Sequence, residues 1–348
     1  MAGEKKNQHF VPKCYLENWE IPNKKKENRK KDREIQVCAY NKIEQKTIAP
    51  INIKNIASEN YYYDIEFSKV LSEEDKQRFL SQGIDVDQLD NEHYIENYLS
   101  DSIEDEFNRI IKGRINRLSS MNTWEIENCF GFTEQEKALF SFHLSILTTR
   151  VKAVRNSLIE TSEIINKLLS ENGATKETIE KYTLKDEDLP FIQGRMLLNN
   201  EQLNKMAIAY FSLTWVLLIN KTNHPLFTSD NPISRIPHIQ NDLYPMVGIA
   251  SRGIEVCFPL SPDLLLLMYD GEYHNYKAGK DRSIGVIESV DIIRYYNEAT
   301  VIQSERWVVS STDDFSLIEK MLSVNPEALS KSDLVASYGG KNYTSERT

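Results

Sequence analysis

The chain has 348 residues, 40% hydrophobic and 27% charged, which is enough apolar material for a sizeable core and argues against disorder. Its formal net charge of −10 disfavours nucleic acid over most of the surface. No apolar run approaches the ~20 residues of a membrane-spanning helix, and Cys14, Cys38, Cys129 and Cys257 contain no C-x-x-C pair for zinc or redox work.

The opening MAGEKKNQHFVPK lacks the apolar stretch of a secretory signal, so the thiols are expected to stay reduced in a cytoplasmic protein. Pro12 then opens a short helix to about Trp19, with Val11, Tyr15 and Trp19 on one face and Leu16 widening it. Lys24–Arg33 holds seven basic and two acidic residues and reads as a solvated surface loop. Nucleic acid could be met only there, and no aromatic residue is interleaved for stacking. Alternation over 34–40 and 47–53, around the turn-like Asn41–Lys46, predicts a β-hairpin, with Tyr61–Tyr63 as a third extended stretch.

From Asp90 to Arg117 a helical stripe runs through Leu99, Ile103, Phe107, Ile110 and Ile111. The capping box Thr133-Glu-Gln-Glu136 starts a long helix that Asn172-Gly173 stops. Its length suggests a break, near Thr148-Thr149 or Asn156-Ser157. A further helix is expected at Glu201–Phe211. Strands are expected at Leu213–Asn220, Leu226–Thr228, Ile254–Leu260, Leu264–Tyr269 and Trp307–Ser311, with helices at Ser289–Gln303 and Asp313–Met321. The resulting picture is an α+β chain. Long helices pack on a mostly antiparallel sheet with an N-terminal β-hairpin element, as one domain over 1–330, followed by a flexible polar tail at 331–348.

Several motifs occur in order: Gln8-His9-Phe-Val-Pro12-x-x-Tyr15-Leu16-x-x-Trp19, Arg150 in the long helix, Phe227-Thr-Ser-Asp230-Asn231-Pro232, Pro259-Leu-Ser-Pro262, and Asn297 leading to Ser304-x-Arg306-Trp-Val-Val-Ser310. In this order the chain resembles, over roughly 8–311, the bacterial family named domain of unknown function 4238. The resemblance implies a bacterial intracellular protein and brings no substrate, cofactor or catalytic residue. The lysine-rich run departs from the pattern expected of that family.

The residue chemistry therefore supplies the candidates. His9 precedes a helix start, where the dipole favours a neutral imidazole suited to a general base, or to a plain cap. Asp230 and Asn231 end a strand, where they can orient a histidine or hold a cation, or simply form an Asx-turn. Ser229-Asp230-Asn231 matches a β-lactamase element, but the chain has no Ser-x-x-Lys to supply the nucleophile. Arg150, among apolar neighbours and on nearly the same face as His143, either reaches solvent along its stem or meets a carboxylate or a phosphate, a structural ion pair being the plain reading. Gln8 and Asn297 complete a polar set as substrate-binding side chains. No metal motif is present, the histidines show no i+3 or i+4 pair, and the cofactor stays unknown.

Two readings follow. In the first, the chain is a hydrolase of a phosphodiester or related small molecule: His9 is the base, Asp230 orients it, Arg150 stabilises developing charge, and Gln8, Asn231 and Asn297 bind substrate. In the second, the same residues fix loops, and a surface engages a protein partner in a binding or sensing role. Proximity of His9 to Asp230 favours the first reading; separation, with each residue bonded locally, favours the second.

Overall fold

The structure is a computed structural model that describes residues 7–22, 35–65, 67, 71–81, 83, 94–119, 121–239, 248–277, 279–326, 329, 335–338 and 341–344. The basic run Lys24–Arg33 lies outside the described residues, as does the 90–93 start of the acidic helix. A short strand, β1 (Asn7–His9), leads to Pro12 and the helix α1 (Lys13–Leu16), which a 3-10 turn extends to Trp19. The hairpin is β2 (Gln36–Asn41) and β3 (Lys46–Asn52), its turn set by the Asn41 carbonyl oxygen accepting from the Ile43 and Glu44 amides. The third extended stretch lies earlier than the aromatic run suggested. It is β4 (Ser58–Asn60), paired antiparallel with β1, while Tyr61–Tyr63 is a turn that Tyr61 enters at φ +57°.

Helices follow in series: α2 (Glu73–Ser81), α3 (Tyr94–Tyr98), a π-helical turn at Leu99–Glu104, α4 (Asp105–Ser119) and α5 (Thr123–Asn128). Next comes α6 (Glu134–Arg150), started by the Thr133/Glu136 capping box. Neighbours press on α6 from several sides. Its Ser141, Ser145 and Thr149 hydroxyls turn back onto carbonyls of their own helix, so small polar side chains sit buried without loss. The expected break falls at Val151, whose extended backbone separates α6 from α7 (Lys152–Glu171). The interruption frees carbonyls, and side chains answer them. Gln193 Nε2 donates to Thr149 O at 2.9 Å and to Val151 O at 3.2 Å, while its own Oε1 accepts from Arg155 Nε at 2.7 Å. Gln193 lies on α9 (Leu189–Leu197), which, with α8 (Lys176–Tyr182), has no counterpart among the expected elements; α10 (Asn200–Ser212) does.

The remaining strands are β5 (Thr214–Asn220), β6 (Thr228–Ser229), β7 (Ser234–Pro237), β8 (Ile254–Ser261), β9 (Leu264–Tyr269) and β10 (Ser283–Ile287). The helix α11 (Val290–Gln303), β11 (Trp307–Ser310) and α12 (Ser316–Val324) follow. One sheet has the order β10-β5-β9-β8-β7, antiparallel except for β10 on β5; the other has the order β3-β2-β11-β6 and is antiparallel throughout. Both faces of the five-stranded sheet are covered, which explains its continuous apolar runs. Trp215, Leu217, Phe258 and Leu266 join Phe107, Phe140 and Tyr210 in the main core, while Val216, Cys257, Leu267 and Tyr269 face Ile293 and Tyr296 of α11. Stacked rings run through the main core, with Phe107–Phe140 centroids 5.4 Å apart and Tyr15–Phe258 5.3 Å apart.

The α+β architecture is as expected. The segment expected to be a flexible polar tail carries a hairpin, β12 (Val335–Tyr338) and β13 (Lys341–Thr344), whose Tyr343 hydroxyl donates to Glu171 at 2.9 Å. No described helix is long and apolar enough to cross a membrane.

The Gln193 bridge makes a test. Gln193→Ala leaves two buried carbonyls and one guanidinium N–H unanswered, so it should lower unfolding free energy by about 2–3 kcal/mol, read as a reduced urea midpoint at unchanged m-value.

Candidate functional site

The motif side chains are spent on holding the chain together. Gln8, fully buried in β1, accepts from the Tyr63 amide and donates to Asp64, clamping the turn after β4. Arg150, the last residue of α6 and 1% exposed, donates from Nη2 to His9 O at 2.6 Å, from Nη1 to Glu104 Oε1 at 2.8 Å and from Nε to the Tyr63 hydroxyl at 3.3 Å. Burial works against the guanidinium, but Tyr63 and Glu104 outweigh it and hold its pKa above the ordinary arginine value. A permanent cation in this position fastens β1, the π-helical turn and the Tyr63 turn to one helix end. Tyr15 and Trp19 reach across to the sheets: the Tyr15 hydroxyl donates to Pro259 O at 2.7 Å, and Trp19 Nε1 donates to Leu226 O at 2.8 Å.

His9 contributes its carbonyl, not its ring, to the Arg150 clamp. Among the described residues, neither ring nitrogen has a partner in hydrogen-bond geometry, although the Ile53 and Lys54 backbone lies close enough to favour a proton. Burial, then the charges of Lys13 and Arg150, push its pKa down to about 3. His143 on α6 is a second buried imidazole of this kind. Its pKa is lowered by burial to about 4, and Glu106 at 3.7 Å is too distant for a hydrogen bond.

Asp230 sits elsewhere, in a nest of backbone amides. Its Oδ1 accepts from Glu305 N at 2.9 Å, and its Oδ2 accepts from Arg306 N at 2.8 Å and Trp307 N at 3.0 Å. Burial lifts the carboxyl to about 6 despite these three donors. Asn231 Nδ2 donates to Gln303 O at 2.9 Å, and Asn297 accepts from Phe227 N at 2.8 Å while donating to Pro225 O at 3.0 Å. Hydrogen bonds thus tie Gln8, His9 and Arg150 into one set of contacts and Asp230, Asn231 and Asn297 into another. Among the described residues no hydrogen bond or ion pair links the His9 ring to Asp230. Asn231 reaches a cleft of about 360 Å³, at the α6–α7 break beside Thr148, Val154 and Arg235, and Asn297 lines a smaller one of about 230 Å³.

A different constellation forms where β7 meets β8. His238 Nε2 lies 2.6 Å from Glu255 Oε2, and the Tyr296 hydroxyl donates to Glu255 Oε1 at 2.7 Å. Glu255 is buried, whereas the His238 side chain keeps 32% of its surface. The buried His274 ring packs edge-on to His238 and to Tyr273, each at 4.9 Å between centroids, and Asp270 holds the turn beneath by accepting from the Gly253 and Tyr273 amides. The group is not visible in the sequence because Glu255 lies 17 residues from His238 and 41 from Tyr296. One signal was available: Glu255 is a lone carboxylate in an apolar strand, at an alternation that turns it toward the α11 face. Among the described residues, no group of three or more His, Cys, Asp or Glu side chains is placed to hold a metal ion.

A groove of about 610 Å³ lies beside the outer strand β10, lined by Phe130, Tyr276, Ile284, Ile126 and Lys280 among others. Phe130 is 58% exposed and Tyr276 70%, and Trp124 on the neighbouring α5 is 69% exposed.

The buried groups give opposed pH dependences with a net sign. His9 and His143 have folded values below the unfolded ~6.5, so the folded state binds fewer protons and stability falls as pH drops through 6.5 toward 4. Each contributes up to ~1.4 kcal/mol per pH unit in that window. Asp230, raised to about 6, titrates in the opposite sense and offsets part of this. Urea midpoints should therefore decline from pH 6.5 to 4.5, with a shallower decline in His143→Phe; a flat profile would contradict the buried neutral histidines. Asp230→Ala, which orphans three amides, should cost roughly 3 kcal/mol or more at pH 7.

A search of curated proteins found no match, and neither did a search of solved structures. One family model, described as protein of unknown function (DUF4238), matches residues 7–314, most of the described fold. The chain belongs to this DUF4238 family.

Proposed function

We propose that this chain is a protein-binding component that engages its partner through the groove beside β10. The groove itself carries the reading. Large aromatic side chains stand exposed at Phe130 and Tyr276 in a concavity of about 610 Å³, with exposed Trp124 on α5, the helix that supplies Ile126 to its lining, next to an edge strand of the main sheet. Exposed aromatic clusters of this kind are the usual material of interface cores, and an outer strand offers backbone donors and acceptors to an incoming chain. The opposite edge is differently furnished. There the Gln303 amide both accepts from Arg235 N and donates to Arg235 O, at 2.9 Å each, and so occupies β7 as a neighbouring strand would. Internal use of Gln8, Arg150, Asp230 and Asn297 supports the same reading, because side chains committed to the fold are not free for substrate. A cytoplasmic setting, where the thiols of Cys14, Cys38, Cys129 and Cys257 stay reduced, belongs to this reading.

The pair Phe130→Asp with Tyr276→Asp tests it. Surface substitutions of this kind should move stability by no more than ~0.5 kcal/mol each, while the partner recovered with the wild-type chain from its native cells disappears. Equal recovery by the double variant at unchanged melting temperature would sink the groove as the binding surface. Asp230→Ala separates the roles further, since it should lose stability first and partner binding only in proportion to unfolding.

A further inference from the structure

We propose that His238, positioned by Glu255 and Tyr296, is a general base that hydrolyses neutral carboxylic esters carrying a planar aromatic group. Geometry comes first. Glu255 is buried and accepts from the Tyr296 hydroxyl at 2.7 Å, so that oxygen is fixed and the other stands 2.6 Å from His238 Nε2. A carboxylate only accepts, so the imidazole proton lies on Nε2 and the lone pair on Nδ1. The β7 backbone is pinned as well, with His238 N donating to Gly253 O at 2.9 Å. An imidazole held at one nitrogen by a buried carboxylate, and keeping a third of its side-chain surface, is arranged as a base facing outward.

The surroundings select the substrate. The Tyr273 ring lies near-parallel to His238, at 30° with centroids 6.3 Å apart, and His274 stands perpendicular to both. Tyr276, largely exposed, approaches His274 through its hydroxyl at 3.2 Å from Nδ1. The exposed Tyr273 ring, backed by the buried His274, offers a π-face to a flat group. Two carboxylates, Glu255 and Asp270, border the cluster, and their negative potential opposes an anionic phosphodiester but not a neutral ester. The step balances without a cofactor. His238 Nδ1 takes a proton from water as the water oxygen bonds to the ester carbonyl carbon. The carbon–alkoxy bond then breaks, and the departing alkoxide takes that proton back, leaving acid and alcohol.

Tyr276 borders both this cluster and the β10 groove, but His238, Glu255 and Tyr296 do not line that groove, so either proposal can fail alone. The test uses the full chain with p-nitrophenyl benzoate as the neutral ester and bis(p-nitrophenyl) phosphate as the anionic one. Turnover of the benzoate should fall at least tenfold in His238→Gln and remain at the wild-type rate in His224→Gln, with the phosphodiester untouched. Glu255→Gln should keep part of the rate, since the amide oxygen still accepts from Nε2, and Tyr296→Phe should keep more of it. Nitrogen-15 shifts of the His238 ring should report the proton on Nε2. Benzoate hydrolysis equal in wild type and His238→Gln, including none in either, overturns the proposal, as does a ring protonated on Nδ1 alone.

Discussion

A guanidinium shut away from water must be answered at each nitrogen, and Arg150 is answered by three separate pieces of chain. Its partners are the His9 carbonyl on β1, Glu104 at the end of the π-helical turn, and Tyr63 in the turn after β4. Removing any one partner would leave a buried charge short of a ligand, a loss far larger than that of a surface ion pair. The N-terminal segment is therefore held in register by electrostatics before its apolar face contributes. That register in turn delivers Tyr15 and Trp19 to Pro259 and Leu226. The break at Val151 belongs to the same arrangement, because ending α6 there exposes the carbonyls that Gln193 takes.

A second theme is the use of side chains in place of backbone. Asp230 accepts the amides of residues 305–307 as a turn carbonyl would. Asn297 bonds the 225–227 segment on both its donor and acceptor sides, and Gln303 does the same at Arg235. Lys42 closes the end of α11, donating to Val301 O at 2.9 Å and Ser304 O at 2.7 Å, where the helix dipole favours a cation. Amides, a carboxylate and an ammonium of this sort let short strands and irregular connections be buried without orphaned polar groups. This accounts for the polar character of the recurrent motifs without assigning them catalysis.

Both proposals rest on groups outside those motifs. The exposed aromatic groove beside β10 and the His238–Glu255–Tyr296 relay lie on different parts of the same five-stranded sheet, one at the β10 edge and the other at β7–β8. Burial separates the two chemically: the groove exposes aromatic rings, whereas the relay hides its carboxylate and leaves the imidazole part-exposed. A rigid sheet covered on both faces is a suitable frame for either, since its strands cannot shift without disrupting two apolar layers.

Much of the local structure was legible in the residues. The Thr133 capping box, the Asn172-Gly173 stop, the hairpin about Asn41–Lys46 and the apolar runs of β5, β8 and β9 follow from propensities and periodicity acting within a few residues. The location of Arg150 among apolar neighbours left two outcomes, solvent or an anionic partner, and the structure gives it Glu104. Which partner could not be read, because Glu104, Tyr63 and His9 lie 46, 87 and 141 residues away. For the same reason His9 and Asp230, plausible as a dyad from their types, part company in space, while His238 and Glu255, unremarked in the sequence, meet at 2.6 Å. Short strands such as β1, β4 and β7 escaped because they have too few residues to show a period, and exist only through the strands they pair with. Local sequence determined the elements and their apolar faces; only the tertiary structure decided which buried polar groups meet, because that choice depends on long-range register and on the cost of leaving any of them unpaired.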